Sequence, residues 1–281
     1  MKLSDVKKLH QKKYRTQFGF YLVEGEHLVL ELLKANRQDV NFNTIPNETL
    51  SIYVTNEYEV WLEHALSREA AVESGQSKIS PNERVPAVKV ERLTSIQMQQ
   101  LSDTKSPQGI IARVPLKTAS SNKDINSVSD ESANSQLNQQ RYIYLYEVQD
   151  PGNLGTILRT LAWFGNFKLL LSPNSVDPFN SKVVRASMGA IFHVDMELNV
   201  TLKDLASRFS QFAYLDMHGD EIKSQHFGNF QCYLFGNEAR GVPTEEIARL
   251  NATAFTITGS GKIDSLNLAS AVNICTYELS Q

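Results

Sequence analysis

The sequence predicts an α/β protein whose larger part is built on a mostly parallel sheet, with a smaller α/β domain in front of it. Three observations predict this. From Tyr142 onward, short apolar runs alternate with segments of helical periodicity. A Ser/Asn/Gln-rich stretch at 117–140 cuts the chain in two. The 281 residues, 41% hydrophobic and 21% charged, suffice for one large domain or two ordinary ones with real cores.

The first part, residues 1–116, mixes its elements. Phe20–Val23 reads as a short strand and Glu26–Ala35 has helical periodicity. Leu50–Val54 is a strand candidate, Glu57–Leu66 a helix, and Val88–Val90 and Gly109–Val114 further strands. Residues 117–140 carry almost no apolar side chains. They cannot bury enough surface to offset their ordering entropy, and are expected to be a linker or loop.

Residues 141–281 alternate more cleanly. Strands are expected at Tyr142–Tyr146, Phe167–Leu171, Phe212–Leu215, Gln231–Phe235 and Phe255–Thr258, with Phe192–Val194 short and extended. Helices are expected from the turn at Asp150 onward and at Asn180–Ala190, Thr201–Phe212, Pro243–Arg249 and Leu266–Glu278. Strands separated by helices become parallel neighbours with covered faces. Such sheets bind ligands beyond the carboxyl ends of their strands.

Charge and cysteine content narrow the class. Net charge is −3 and the pI about 6.1, which weighs mildly against a nucleic-acid partner. Yet the first fifteen residues hold Lys2, Lys7, Lys8, Lys12, Lys13 and Arg15 against Asp5 alone. That stretch is either a solvated helix face or a phosphate-binding one. Cys232 and Cys275 fall in apolar segments and belong to no CxxC pair, so buried thiols are expected. No cluster of metal ligands stands out. The start MKLSDVKKLH has no apolar stretch of the kind a signal peptide needs, and no long apolar run follows, so a cytoplasmic protein is expected.

Three segments could carry chemistry. In Asp150–Thr160, DPGNLGTILRT, Pro151 and Gly152 make a turn that Asn153 can cap. Leu154, Ile157, Leu158, Leu161 and Ala162 then form a core stripe, with Thr156, Arg159, Thr160 and Trp163 opposite. Arg159 is thus either an ordinary surface arginine or an anion ligand. In Tyr233–Pro243, YLFGNEARGVP, the glycines allow close backbone approach, to a ligand or simply within a turn, without the Rossmann spacing. In Ile257–Ala271, GSGK is not a P-loop, since Ile263 stands where Ser or Thr is required. Ser265 is expected to cap the last helix, with Asn267 in its first turn.

In this order the three segments resemble the motifs of the SpoU (TrmH) branch of the SPOUT RNA methyltransferases: N-x5-R in Asn153 and Arg159, G-x-E-x2-G in Gly236, Glu238 and Gly241, and S-L-N in Ser265, Leu266 and Asn267. Lys182–Phe192 also looks like that family, and the first part resembles its L30e-like substrate-binding domain at Tyr21–Gly25 and Ser106–Ala112. The resemblance covers nearly the whole chain except the linker.

The resemblance implies a catalytic domain over 141–281 with a deep trefoil knot, and an L30e-like domain over 1–116. It implies methyl transfer from S-adenosylmethionine to a ribose 2′-hydroxyl in RNA, ribosomal or transfer, by a homodimer with its site at the subunit interface and no metal. Catalytic roles then fall to Asn153, Arg159, Glu238, Ser265 and Asn267, with Glu238 a positioning residue rather than a base. Phe235, Gly236, Asn237, Gly241, Ile257 and Leu266 map onto the cofactor pocket. Lys7, Lys8, Lys12, Lys13, Arg15, Arg185 and Ser187 become RNA contacts. A guanidinium holds its proton near neutrality. Arg159 therefore acts either as a base relieved by an RNA phosphate or, as the physics favours, as a cation that orients ribose and phosphate and stabilises the developing alkoxide. The competing classes are a non-catalytic RNA-binding assembly factor on the same fold, and a Rossmann oxidoreductase, which the missing GxGxxG disfavours. Cofactor binding separates them.

Overall fold

Apolar alternation and turn residues sort the described chain, residues 1–38, 50–71, 88–116 and 140–281 of a computed structural model, into two sheets. Two compact units hold them. One takes the described part of Met1–Thr118 together with Phe179–Phe192, the other the described part of Ala119–Pro178 together with His193–Gln281. The expected linker lies outside the described residues except for Gln140.

The first unit opens with α1 (Leu3–Lys8) and α2 (Lys12–Phe18), two helices in a stretch legible from sequence only as a charged face. They are held by Val6 and Leu9, which bury against Phe20, Leu22, Tyr53, Met98, Leu101 and Ile111. Gly19 ends α2 at φ 75°, a left-handed position suited to glycine, and its N–H donates to the Arg15 carbonyl. There follow β1 (Phe20–Glu24), α3 (Glu26–Gln38), β2 (Ser51–Val54), α4 (Asn56–Ala71), β3 (Lys89–Arg92), α5 (Ser95–Leu101) and β4 (Ile110–Pro115). The strands pair in the order β1-β4-β2-β3, with only β2 and β3 parallel. A reciprocal capping box between Thr94 and Gln97 starts α5.

The second unit alternates as expected: β5 (Arg141–Leu145), α6 (Pro151–Phe164) and β6 (Phe167–Leu171) come first. The chain then lends Phe179–Phe192 to the first unit, including α7 (Ser181–Ser187), which ends where Met188 and Gly189 turn at φ 50° and 94°. It returns through β7 (Met196–Leu198), α8 (Leu202–Arg208), β8 (Phe212–Glu221), β9 (Cys232–Phe235), α9 (Thr244–Ile247), β10 (Ala252–Thr256) and α10 (Leu268–Leu279). Six strands, every pair parallel, run in the order β10-β8-β9-β5-β6-β7. Tyr144, Leu170, Leu205, Phe212, Cys232 and Leu234 build the core on one face. On the other, α10 packs on α6, with the Phe164 and Tyr277 rings edge to face.

Two strand expectations need correction. Phe192–Val194 is not extended: Ala190–Phe192 makes a tight 3-10 turn, and the strand forms four residues later at Met196. Phe212–Leu215 is only the start of β8, which runs on to Glu221 because β10 shifts register on it between Ala254 and Phe255. Gly219 lets the two backbones touch there, since a Cβ would fall 2.3 Å from the Phe255 nitrogen.

Candidate active site

The carboxyl ends of β5, β9 and β10 carry the three motif segments. After β5 the chain turns into α6, and the helix begins one residue after Asp150. Asp150, not Asn153, is the N-cap: its carboxylate accepts from the Asn153 N–H at 2.7 Å, and Pro151 fills the first helical position, where no N–H is needed. The Asn153 side chain is thereby freed for other partners. At α10 the cap also moves. Asn267, not Ser265, caps the helix, accepting from Ala269 N–H at 2.9 Å and Ser270 N–H at 3.4 Å. Ser265 stands exposed in the preceding segment.

These capping choices produce one relay. Asn267 Nδ2 donates to Asn153 Oδ1 at 2.9 Å. Asn153 Nδ2 donates to Glu238 Oε1 at 3.2 Å. The Glu238 carboxylate also accepts from the Gln149 N–H at 3.1 Å and the Asp150 N–H at 3.1 Å. Three loops far apart in sequence are thus tied by side chains around one carboxylate. Partial burial pushes the Glu238 pKa up. The backbone N–H groups at Glu238, Asp150 and Gln149, with the Asn153 amide, more than reverse that and hold it below the ordinary glutamate range. A carboxylate so saturated with donors is a clamp and a poor proton acceptor.

The β9 loop is closed on itself. Asn237 and Gly241 exchange backbone hydrogen bonds of 2.9 Å in both directions, with Gly241 at φ 67°. Asn237 Oδ1 accepts from the N–H groups of Ala239 and Arg240, and its Nδ2 donates to the Glu147 carbonyl at 2.6 Å. At Gly236 a Cβ would lie 2.3 Å from the Gly241 carbonyl carbon and 2.5 Å from the Val242 nitrogen, so only glycine fits. Phe235 is buried.

The β10 segment is the reverse case. Among the described residues no backbone hydrogen bond engages Gly259–Leu266, and these residues are exposed. Leu266 is 44% exposed, while Ile257, nearer the strand, is half-buried. Free backbone donors and acceptors here fit a cofactor held largely through main-chain contacts.

Arg159 does not join the relay. It lies six residues beyond Asn153, roughly 9 Å along the helix and about 120° around it. It is exposed, has no ion-pair partner among the described residues, and shares its face with Trp163, which is 86% exposed. Thr160, expected on that face, is buried and donates back to the Thr156 carbonyl at 3.2 Å.

In the first unit Lys7, Lys8, Lys12 and Lys13 are exposed, with Lys8 paired to Asp5 at 2.8 Å. Two of the residues expected to contact RNA are buried. Arg15 is 4% exposed and donates to the Leu9 and His10 carbonyls, each at 2.8 Å, so it closes the end of α1 instead of facing solvent. Ser187 is buried, its hydroxyl donating to the Val184 carbonyl at 2.7 Å. Arg185 is half-buried, with Nη1 covered and without a hydrogen-bond partner among the described residues. Burial pushes both cysteine thiols up, Cys275 to about 12, so neither is a ready nucleophile. Among the described residues no metal-ligand group forms, and no helix is long and apolar enough to cross a membrane.

Sequence reasoning missed Gln149 and Glu147. Glu147 holds φ 48°, a left-handed conformation that costs a non-glycine residue roughly 1–2 kcal/mol. Its N–H donates to Ser172 Oγ at 2.7 Å. No periodicity signals either residue.

Residues 140–277 match the SpoU rRNA methylase family, and residues 1–112 match the MRM3-like substrate binding domain. The 23S rRNA (guanosine(2553)-2′-O)-methyltransferase RlmP of Bacillus subtilis is 25% identical over 286 residues, 99% of this chain and 95% of its own. A TrmH-family protein from Porphyromonas gingivalis superposes with a TM-score of 0.67 at 26% identity, over 99% of this chain and 96% of its own. An AdoMet-bound rRNA methyltransferase from Sinorhizobium meliloti shares the fold, with a TM-score of 0.70 at 22% identity over 99% of this chain and 93% of its own. By these matches the chain carries a SpoU-family rRNA methylase domain over residues 140–277, preceded in sequence by an MRM3-like substrate binding domain over residues 1–112.

Proposed function

We propose that the protein transfers a methyl group from S-adenosylmethionine to a ribose 2′-hydroxyl of ribosomal RNA. The observation that carries this reading is the side-chain relay from Asn267 through Asn153 to Glu238, which ties all three motif segments into one site. A binding clamp without chemistry has no need to join them.

When bound, S-adenosylmethionine supplies an electrophilic methyl on a sulfonium. The residues that hold it are the backbone of Phe235–Gly241 on one side and Ile257–Leu266 on the other, with Asn237 keeping the first wall rigid. Asn153, Asn267 and Ser265 orient the ribose or the loop backbones through hydrogen bonds. Glu238 fixes the approach of the α6 turn and takes no proton. Arg159 remains a cation, orienting the phosphate beside the target ribose and stabilising the oxygen as it loses its proton. Lys7, Lys8, Lys12 and Lys13 meet the RNA backbone, so binding weakens as salt rises.

A homodimer fits the same reading. Trp163, Ile274 and Tyr277 leave an apolar face open on α6 and α10, of the kind that single copies rarely expose. Arg159 is one turn before Trp163 on that face, and in this reading it serves the site from the interface between the two copies. The trefoil knot is the finer reading of the chain path from edge strand β10 back to α10 on α6.

The test is methyl transfer from labelled S-adenosylmethionine to undermodified ribosomal RNA, with transfer RNA alongside, followed by alkaline digestion. A 2′-O-methylated linkage resists alkali because the attacking hydroxyl is blocked. Wild type should leave label in resistant dinucleotides, and Arg159→Ala should lower the rate by at least about 100-fold. Absence of both label and cofactor binding in the wild type would favour a non-catalytic assembly factor.

A further inference from the structure

The rim beside the relay is short of positive charge. Residues 146–156 and 236–247 carry Glu147, Asp150, Glu238, Glu245 and Glu246 against a single basic residue, Arg240. An RNA strand reaching the relay brings phosphates to this rim, where nothing else in the two loops offsets the carboxylates.

Arg240 is built in. Its Nη2 is paired with the Glu147 carboxylate, whose side chain is only 16% exposed while that of Arg240 is 69% exposed. The same carboxylate accepts from Asn174 Nδ2 at 3.3 Å. Gln149 Nε2 ties the Glu147 and Asn174 carbonyls at 3.0 and 2.7 Å. Asn237 grips the Arg240 backbone N–H from one side and the Glu147 carbonyl from the other. Loops following three neighbouring strands, β9, β5 and β6, thus converge on Glu147, whose own backbone takes the disfavoured left-handed form. One edge of the guanidinium is fixed and the remaining N–H groups face solvent, an arrangement that holds a planar donor fork ready for a phosphate.

We propose that Arg240 binds a second backbone phosphate of the RNA strand, other than the one assigned to Arg159, and that Glu147 is the positioning residue that aims it. The proposal rests on the RNA-methyltransferase reading, but its test does not require turnover. RNA affinity of the full-length protein is measured as a function of salt for wild type, Arg240→Gln, Arg240→Lys and Glu147→Gln, with S-adenosylmethionine affinity measured in parallel. For Arg240→Gln the expected result is about tenfold weaker RNA binding and a salt dependence shallower by roughly one phosphate contact. Arg240→Lys should keep the wild-type salt slope with reduced affinity. Glu147→Gln should weaken RNA binding less than Arg240→Gln does, without changing the slope. Cofactor affinity should stay within about threefold for Arg240→Gln, because the Asn237 bonds that shape the loop use only backbone groups of residue 240. An unchanged salt slope in Arg240→Gln overturns the proposal. So does a loss of cofactor affinity with RNA binding intact, which would make the pair a strut of the cofactor loop. A wild type that binds RNA with the expected slope yet methylates nothing would defeat the functional reading while leaving the Arg240 contact standing.

Discussion

The two walls of the candidate site differ in kind. The wall after β9 is complete: Asn237 and Gly241 close the loop, Glu238 clamps the α6 turn, and Gly236 sits against the Gly241 backbone with no room for a methyl. The wall after β10 is unfinished. Among the described residues Gly259–Leu266 make no backbone hydrogen bond, and none of those residues comes within 4 Å of where a Cβ on Gly259 or Gly261 would be. A preformed wall sets geometry for the reacting groups. An unsatisfied one leaves its polar groups for a ligand to take up, and orders at the ligand's expense.

Identical substitutions in the two walls break or sharpen this contrast. The largest effect belongs to Gly236→Ala. Its methyl meets backbone atoms at 2.3 and 2.5 Å that no side-chain rotation can move aside. Destabilisation of about 3 kcal/mol is expected, or a fall in melting temperature on the order of 10 °C, with loss of methyl transfer. Thermal melting and the transfer assay read both. A variant that melts like wild type would mean that the β9 wall yields easily, and the contrast would fail.

Next comes the clamp itself. The Glu238 pKa is held below its ordinary value of 4.5 in the folded protein. The sign follows from linkage: the carboxylate's stabilisation is fully present above the unfolded value and is lost as pH falls through the folded one. Glu238→Gln turns a donor toward the Gln149 and Asp150 N–H groups, so it should be less stable than wild type near neutrality. The gap in urea midpoint should then close as pH drops below about 4.5. Parallel midpoint curves from pH 7 to pH 3 would show that the charge of Glu238 does no clamping.

The same contrast explains what was legible in the sequence. Strand and helix alternation after residue 141 was readable because each element satisfies a local period, and the motif residues stood at fixed spacings. Caps were misplaced by a few residues at both functional helices. Asp150 and Asn153, like Ser265 and Asn267, are all good capping types, and only the tertiary hydrogen bonds decide between them. Arg15 and Ser187 read as surface residues because sequence does not reveal that nearby carbonyls of Leu9, His10 and Val184 absorb their donors. The pair of Glu147 and Arg240 was beyond reach: its partners are 93 positions apart and meet only through the parallel order of β5 and β9. Glu147 at φ 48° even contradicts local preference, as residues near functional sites often do.

The smallest expected change in stability separates the walls most sharply. Gly259→Ala adds its methyl where the described residues offer no contact, at a backbone angle outside the left-handed region. Stability should move by less than about 0.5 kcal/mol. If the β10 segment is the face that receives the cofactor's main-chain contacts, the same methyl stands between backbone and ligand, and S-adenosylmethionine should bind roughly tenfold more weakly by calorimetry. Unchanged affinity would confine the cofactor surface to the β9 wall. The exposed backbone groups of Gly259–Leu266 would then need another partner, and RNA would be the one left to seek them.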